Sequence, residues 1–174
     1  HSAGPYRGGK RSIYEGGHRV PFFLRWPARV KPGTHWTGPI CQTDLLATFA
    51  DILNQPLPGD AAEDSISFRA AWHGGKAQPS TRPPVIHHAA NGRFAIRQGS
   101  WKLIMESGKK AEQRELYNLD TDPGEKRNVL LQNRNVEKEL FDQLITIVTS
   151  GSTRNGTTTK NDTPPWADLI WLPR

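Results

Sequence analysis

A glycine-rich loop with one lysine lies near the start of the chain. Tyr6 and Arg7 precede the pair Gly8-Gly9, and Lys10 follows directly. Glycine lets the backbone adopt positive φ or approach a ligand closely, and a lysine ammonium can bind an anion as a point charge. The pattern therefore indicates an oxyanion pocket. A solvated turn has the same composition, so the loop by itself leaves both interpretations open.

A second motif, Glu15-Gly16-Gly17-His18-Arg19, follows the loop. Glu15 and Arg19 are better explained as charged partners that hold the Gly16-Gly17 turn than as a catalytic acid and base, because structural ion pairs commonly imitate catalytic ones. His18 is interpreted as a packing or turn residue. The motif is therefore interpreted as a structural turn.

The 174 residues carry a formal charge of +6 and have a pI near 9.7, which favours anionic partners. The cations lie in short scattered clusters, so a solvated basic surface is favoured over a nucleic-acid footprint. No apolar run approaches membrane-spanning length. We expect no nucleic-acid partner and no membrane partner. The lone Cys41 can form neither an intrachain disulfide nor a thiolate metal site, and it is assigned to packing.

The first third of the chain has the pattern of a strand followed by a helix. The apolar stretch from Val20 to Trp26 is typical of a strand buried on both faces of a parallel or mixed sheet. Further along, Thr43 or Asp44 can cap a helix that ends before Pro56. That helix has one apolar stripe, predicted to face the core, which consists of Leu45, Leu46, Phe49, Ile52 and Leu53.

Beyond a proline- and glycine-rich connection, alternating apolar residues predict an antiparallel meander. The predicted strands are 85–90, 93–97, 101–105 and 115–119. Asn91-Gly92, between the first two, suits a type I′ turn in which both central residues need positive φ. Asn135 can cap a helix over 135–150, and its apolar side should cover the sheet.

These elements place the chain in the α/β class, as an α+β fragment with four parts. Residues 1–60 form the end of a larger α/β domain and 61–84 a connecting segment. Residues 85–151 form an antiparallel-sheet domain with the helix 135–150, and 152–174 form a polar tail. Because the first residue is His1 rather than methionine, we expect the chain to be a portion of a longer protein.

Four fragments, in this order, resemble motifs of the sulfatase (arylsulfatase-type) family of the alkaline phosphatase superfamily. They are the Arg7-Gly8-Gly9-Lys10 loop with the Glu15-Gly16-Gly17 turn, the segment 42–48, the hairpin 94–104 (FAIR and WKLI) and the segment 115–125 (ELYNL and DPGE). The resemblance implies the C-terminal portion of such an enzyme, in which the end of an alkaline-phosphatase-like α/β domain precedes a small four-stranded antiparallel sheet packed by a C-terminal helix.

The resemblance also implies what the full-length protein does. It would hydrolyse a sulfate monoester on a sulfated small molecule or glycan, in the periplasm or after secretion. In the family, the lysine matching Lys10 contacts the sulfate, which makes Lys10 the candidate catalytic residue. The candidates for the substrate mouth, which lie near Lys10 or at a strand end, are Tyr6, Arg7, His1 and His88.

The family's Ca²⁺ ion and formylglycine nucleophile are expected in the full-length enzyme and not in this chain. The formylglycine precursor is the first residue of Cys/Ser-x-Pro/Ala-x-Arg, which neither Cys41 nor any serine here fits. The family's calcium-binding Asp and Asn residues, including an Asp-Asn-Gly just before the lysine loop, have no match either. We therefore expect no metal ligands here and no turnover by the chain alone.

Two other functions stay open from the sequence. One is a non-catalytic module that binds sulfated polyanions, and the other is a phosphoester-cleaving relative in the same superfamily. A Cys/Ser-x-Pro/Ala-x-Arg motif and paired aspartates upstream would favour the sulfatase. Because the predicted strand from Val20 to Trp26 belongs inside a larger sheet, the isolated chain is expected to self-associate through unpaired edges and apolar surface.

Overall fold

The computed structural model describes residues 3–74, 82–107, 113–154, 156–160 and 169–172, which divide into two compact units. The first unit takes its described residues from His1–Pro21, Pro84–Thr146 and Asn161–Arg174, and the second from Phe22–Pro83 and Ile147–Lys160. The elements are α1 (Glu15–His18), α2 (Asp44–Ile52), β1 (Val85–His88), β2 (Phe94–Gln98), β3 (Trp101–Ile104), β4 (Glu115–Asn118) and α3 (Arg134–Ser150), with 3₁₀ turns at Arg69–His73 and Leu130–Gln132. The boundaries expected at 60, 84 and 151 refer to the complete protein and stay predictions.

The four strands form one antiparallel sheet in the order β1-β2-β3-β4, which confirms the predicted meander. Ile96 lies opposite Leu103, which lies opposite Leu116, so these three buried side chains share one face of the sheet. Lys102 lies opposite Tyr117 on the other face. The helix α3 also matches its predicted position to within one residue.

The turn between β1 and β2 differs from the predicted type I′ turn. Gly92 has a positive φ of 88°, but Asn91 does not lie in the positive-φ region. The Gly92 N–H donates to the Ala89 carbonyl, and the Ala89 N–H donates to the Arg93 carbonyl. The connection is therefore a three-residue loop closed by a glycine, which is the next most common hairpin solution. The prediction was wrong because the dipeptide alone does not determine the loop length.

The N-terminal segment covers one face of the sheet. Ile13 is buried in a cluster with residues of that face, which are Ala89, Ala95, Ile104, Tyr117 and Leu119. The sequence predicts only one covering layer, the helix α3. The structure adds the lysine-loop segment as a second layer, which fixes that segment to the sheet by hydrophobic burial.

Aromatic residues contact the opposite face. The ring centroid of Trp171 lies 5.7 Å from that of Phe94 in β2 and 6.4 Å from that of Phe141 in α3. The Arg114 guanidinium, next to β4, lies 4.0 Å from the centroid of the Phe141 ring. These contacts connect α3 with the sheet. Two inward leucines of α3 are buried, Leu140 and Leu144.

In the second unit, α2 begins where predicted but buries a different face. Leu46, Phe49 and Leu53 of the predicted core stripe are exposed, and Leu53 is 68% accessible. The buried residues of α2 are Asp44, Ala47 and Thr48. The predicted core face was therefore wrong within the described part of the chain.

Hydrogen bonds to the segment 65–68 explain the orientation of α2. The Asp44 carboxylate accepts the N–H groups of Cys41 at 2.7 Å and Ile66 at 3.0 Å, and it pairs with Arg82 at 2.8 Å. The Thr48 hydroxyl accepts the Phe68 N–H at 3.1 Å. Because buried polar groups must keep their partners, this polar face turns inward and the apolar stripe turns outward.

The stretch from Val20 to Trp26 is irregular and not the predicted strand. Phe23 is 92% accessible, and Phe22 and Leu24 are also exposed. None of the strands in the described residues pairs with this stretch, so its backbone lacks the ladder of hydrogen bonds that a strand requires. Its aromatic rings still pack locally, since Phe22 contacts Phe68 edge to face. Within the described parts of the chain, no helix has the length and apolarity needed to cross a bilayer.

Candidate functional site

The lysine loop folds back on the glycine pair of α1. The Gly16 N–H donates to the Arg7 carbonyl at 2.8 Å, and the Ser12 N–H donates to the Gly9 carbonyl at 2.9 Å. A Cβ atom at Gly17 would lie 2.1 Å from the Ser12 carbonyl oxygen. Only glycine fits such a close backbone approach. The Gly16-Gly17 pair therefore sets the path of the loop.

Lys10 lies in a turn of this loop, with an exposed side chain. It forms no ion pair with any carboxylate of the described residues, whereas four neighbouring cations of the same unit do. Those cations are Arg7, Arg19, Arg97 and Lys102. The loop therefore presents the Lys10 ammonium to solvent, while backbone hydrogen bonds hold the loop in place. Such an arrangement suits an anionic ligand.

A buried ion cluster lies behind the loop. The Lys102 Nζ lies 3.0 Å from the Glu15 Oε1 and 2.9 Å from the Glu125 Oε1. Lys102 and Glu125 are fully buried, and Glu15 is 3% accessible. The Glu125 Oε2 also accepts the backbone N–H of Glu15 at 2.6 Å. The cluster thus joins α1, β3 and the turn after β4 at one point.

Two arginines complete the charge balance around Glu15. The Arg97 Nη1 lies 3.2 Å from the Glu15 Oε2, and the Arg19 Nη1 lies 3.8 Å from the same oxygen. The predicted structural pairing of Glu15 with Arg19 is confirmed, although Lys102 and Arg97 approach the carboxylate more closely.

The pKa values of the two carboxylates in the cluster are shifted in opposite directions. Burial acts to raise the pKa of Glu15, but the charges of Lys102 and Arg97 outweigh it and hold that pKa below its usual value. Burial dominates at Glu125 and raises its pKa, because Lys102 compensates only in part. Glu15 is therefore the anionic partner on which the cluster depends.

Arg7 and Glu115 form a second cluster beside the first. The Arg7 Nη1 donates to the Tyr117 hydroxyl at 3.0 Å and to the Glu125 carbonyl at 3.1 Å, and its guanidinium lies 3.6 Å from the centroid of the Tyr14 ring. Glu115 accepts hydrogen bonds from the hydroxyls of Tyr14 and Tyr117. Arg7 therefore anchors the start of the loop, while its side chain stays 43% accessible.

Two histidines pack against each other next to the Lys102 cluster. The rings of His18 and His87 have centroids 4.4 Å apart, and the His18 Nε2 donates to the Ile13 carbonyl at 3.0 Å. The His87 Nε2 is buried and has no hydrogen-bond partner among the residues that the structure describes. Burial, together with the neighbouring His18, Lys102 and Arg97, lowers the pKa of His87 to about 2. His87 is therefore neutral in the folded protein at physiological pH.

The predicted residues of the substrate mouth are dispersed. The Tyr6 ring lies 4.4 Å from the Arg19 guanidinium, on the same segment as Lys10. His88 stacks on Phe94, with ring centroids 4.2 Å apart, and register places it on the sheet face opposite to that covered by Ile13. His1 lies outside the described residues. Their roles in substrate binding stay predictions.

Sequence reasoning missed the two buried charges that support the loop, Lys102 and Glu125. A signal was present, because Lys102 stands between Trp101 and Leu103 in an otherwise apolar strand. A lysine that is fully buried requires an anionic partner.

The described residues contain no group of three or more His, Cys, Asp or Glu side chains that could hold a metal ion. They therefore do not fit a Ca²⁺ cage.

Comparison with known families places the chain. Residues 7–150 match the family model described as N-sulphoglucosamine sulphohydrolase, C-terminal. The chain therefore belongs to this family of sulfatase C-terminal domains. The resemblance inferred from the four sequence fragments is confirmed.

Individual relatives agree with this assignment. The chain is 38% identical over 158 residues to an N-acetylgalactosamine-6-O-sulfatase of Bacteroides thetaiotaomicron, covering 84% of the chain and 30% of that protein. It is 36% identical over 87 residues to the human steryl-sulfatase, covering 50% of the chain and 15% of the relative. The chain thus spans less than a third of the length of these relatives.

Solved structures show the same fold. A Bacteroides thetaiotaomicron sulfatase structure, described in connection with the metabolism of multiple glycosaminoglycans, aligns with a TM-score of 0.72 and 36% identity over 83% of the chain and 32% of its own. The structure of Ps i-CgsB in complex with k-i-k-neocarrahexaose aligns with a TM-score of 0.69 and 25% identity over 82% of the chain and 32% of its own.

The Lys102 cluster should dominate the stability of the first unit. We expect Lys102→Met to lower the free energy of unfolding by about 3–5 kcal/mol, because Glu15 and Glu125 stay buried without the lysine that pairs with both. Lys138→Met is the matched control, since Lys138 pairs with Asp142 on the exposed surface of α3. Urea denaturation at pH 7 measures both variants. Equal midpoints for the two would contradict a structural role for Lys102.

His87 should make the folded state sensitive to acid. Its pKa is about 2 when folded and about 6.5 in an unfolded chain, so the unfolded state alone binds a proton between these values. Above pH 6.5, His87 is neutral in both the folded and the unfolded chain and does not favour unfolding. As the pH falls below 6.5, protonation of the unfolded chain alone lowers the free energy of unfolding. We expect His87→Gln to lose less stability than wild type between pH 7 and pH 5 in thermal melts. The raised pKa of Glu125 is common to both proteins and cancels in the comparison. Parallel pH profiles would exclude His87 as the source.

Proposed function

We propose that the chain is the C-terminal part of a sulfatase that hydrolyses sulfate monoesters on glycans, and that Lys10 contacts the sulfate. The observation that carries the proposal is the contrast between Lys10 and its neighbours. Arg7, Arg19 and Arg97 pair with acids, whereas Lys10, like the adjacent Arg11, is exposed and has no carboxylate partner among the described residues. The family match and the sulfatase relatives support the reaction class.

The chemistry of the ester explains why an ammonium is useful. A sulfate monoester carries one negative charge, and more charge develops on its oxygens and on the leaving group as the S–O bond breaks. A fixed cation close to these oxygens stabilises the transition state more than the bound substrate. Lys10 can do this because its backbone is held by the Gly16-Gly17 turn and by Ile13 in the core.

The same proposal assigns roles to the other candidates. Tyr6, Arg7, His1 and His88 would line the substrate mouth, with Arg7 also holding the loop through Tyr117 and Glu125. The nucleophile and the Ca²⁺ site would come from the part of the parent enzyme that this chain does not contain. There, the formylglycine would supply the nucleophile and the Ca²⁺ ion would supply a positive charge for the sulfate. The chain alone is therefore proposed to be inactive.

Lys10 is testable in the full-length enzyme. We expect Lys10→Ala to reduce the transition-state stabilisation of sulfate-ester hydrolysis by about 2–4 kcal/mol, the scale of one lost oxyanion contact. Arg11→Gln is the matched control, because it removes the adjacent exposed cation and keeps the loop. The value of kcat/KM for a sulfated sugar measures the effect.

Three outcomes separate the alternatives. Lys10→Ala kinetics within a factor of two of wild type would remove Lys10 from the site. An equal loss in Arg11→Gln would indicate general charge attraction rather than a specific contact. A full-length protein that binds sulfated glycans without releasing sulfate would favour the non-catalytic module.

The apolar surface of the second unit predicts the behaviour of the isolated chain. Phe22, Phe23 and Leu24 are exposed, as are Leu46 and Phe49 of α2 and Leu53 directly after it. We propose that the rest of the parent enzyme covers this surface. The purified 174-residue chain should therefore self-associate in light scattering, and Phe23→Ser with Leu53→Ser should reduce the apparent mass. A monomer that melts cooperatively would contradict this expectation.

A further inference from the structure

The lysine loop is fastened to the β1–β2 turn. The Ala90 N–H donates to the Arg11 carbonyl at 3.3 Å, within the first unit. Lys10 precedes Arg11, and Asn91 follows Ala90. Because adjacent Cα atoms are about 3.8 Å apart, the Cα atoms of Lys10 and Asn91 are separated by at most about 15 Å. A ligand whose anionic group meets Lys10 therefore has this turn as a neighbour.

Hydrogen bonds and an ion pair of the buried Arg93 hold this turn in place. Arg93 is only 2% accessible, and its guanidinium donates to the carbonyls of Met105 at 3.0 Å and Gln113 at 2.9 Å. It also pairs with Glu115 at 3.1 Å. These bonds fix the position of the turn before any ligand arrives. A contact made by the turn would therefore cost little ordering entropy.

Asn91 is the residue of this turn that can recognise a polar ligand. Its side chain is exposed, and its Oδ1 accepts the Arg93 N–H at 3.3 Å. Its Nδ2 forms no hydrogen bond with any described residue, so two N–H donors face solvent in an oriented amide. Ala90, the other exposed residue of the turn, has no polar side chain.

We propose that Asn91 determines specificity by donating a hydrogen bond to a hydroxyl of the sugar whose sulfate contacts Lys10. The inference rests on the proposed sulfatase function and adds a neutral contact beside the charged one. A neutral amide does not follow the charge that develops during S–O cleavage, so Asn91 acts on substrate selection. A site that bonds a hydroxyl discriminates against an analogue that lacks it.

Two substrates of the full-length enzyme separate this role from the role of Lys10. N-acetylgalactosamine 6-sulfate carries sugar hydroxyls, and 4-nitrophenyl sulfate carries none. We expect Asn91→Ala to raise KM for the sulfated sugar about five- to tenfold, as one lost neutral hydrogen bond implies. Hydrolysis of the aryl ester should stay within a factor of two of wild type. Lys10→Ala should lower kcat/KM for both substrates.

The matched control is Gln132→Ala, which removes another exposed amide of the same unit. It should leave both substrates unaffected, and the melting temperatures of the Asn91 and Gln132 variants should match wild type. Unchanged sugar kinetics in Asn91→Ala, or an equal loss on both substrates, would overturn the role of Asn91 while leaving the sulfatase function intact. A wild-type enzyme that cleaves neither sulfate ester would overturn both proposals.

Discussion

The structure around the lysine loop depends on one buried ammonium. Lys102 brings together Glu15, before the glycine pair, and Glu125, in the turn after β4, although these carboxylates are 110 residues apart in sequence. Removing any one partner would leave an uncompensated charge away from water, so the three positions constrain one another. This constraint holds the lysine loop against the sheet and thereby fixes the position of the Lys10 backbone.

The cations of the first unit divide into two functions. Lys102, Arg93 and Arg97 are largely buried, and each is neutralised by a glutamate. Lys10 and the adjacent Arg11 are exposed and form no ion pair with a carboxylate of the described residues. Removing one partner of a buried ion pair leaves an uncompensated charge away from water, so the pairing constrains the backbone on both sides. The paired charges therefore hold the surrounding backbone in place, while no carboxylate of the described residues competes with an anion for the Lys10 ammonium.

The sequence predicted elements whose pattern is local and missed features that depend on distant partners. Alternation located the four strands, and the apolar spacing located α3 to within one residue, although the predicted cap Asn135 lies inside the helix and not before it. The face of α2 was wrong because Asp44 bonds the backbone of Ile66, a partner that periodicity does not reveal. Glu15 was recognised as structural, but Lys102 and Glu125 were not, since their pairing appears only when the sheet is formed. The position of Lys10 came from resemblance, and no local pattern places Asn91 beside it.

The crowding at Gly17 has an evolutionary consequence. A side chain there would collide with the Ser12 carbonyl, so the backbone behind Lys10 cannot be reshaped by substitution at this position. The adjoining hairpin tip is exposed, and its side chains can be exchanged without disturbing the core. Sequence differences between relatives would then be tolerated at this hairpin tip more readily than at Gly17.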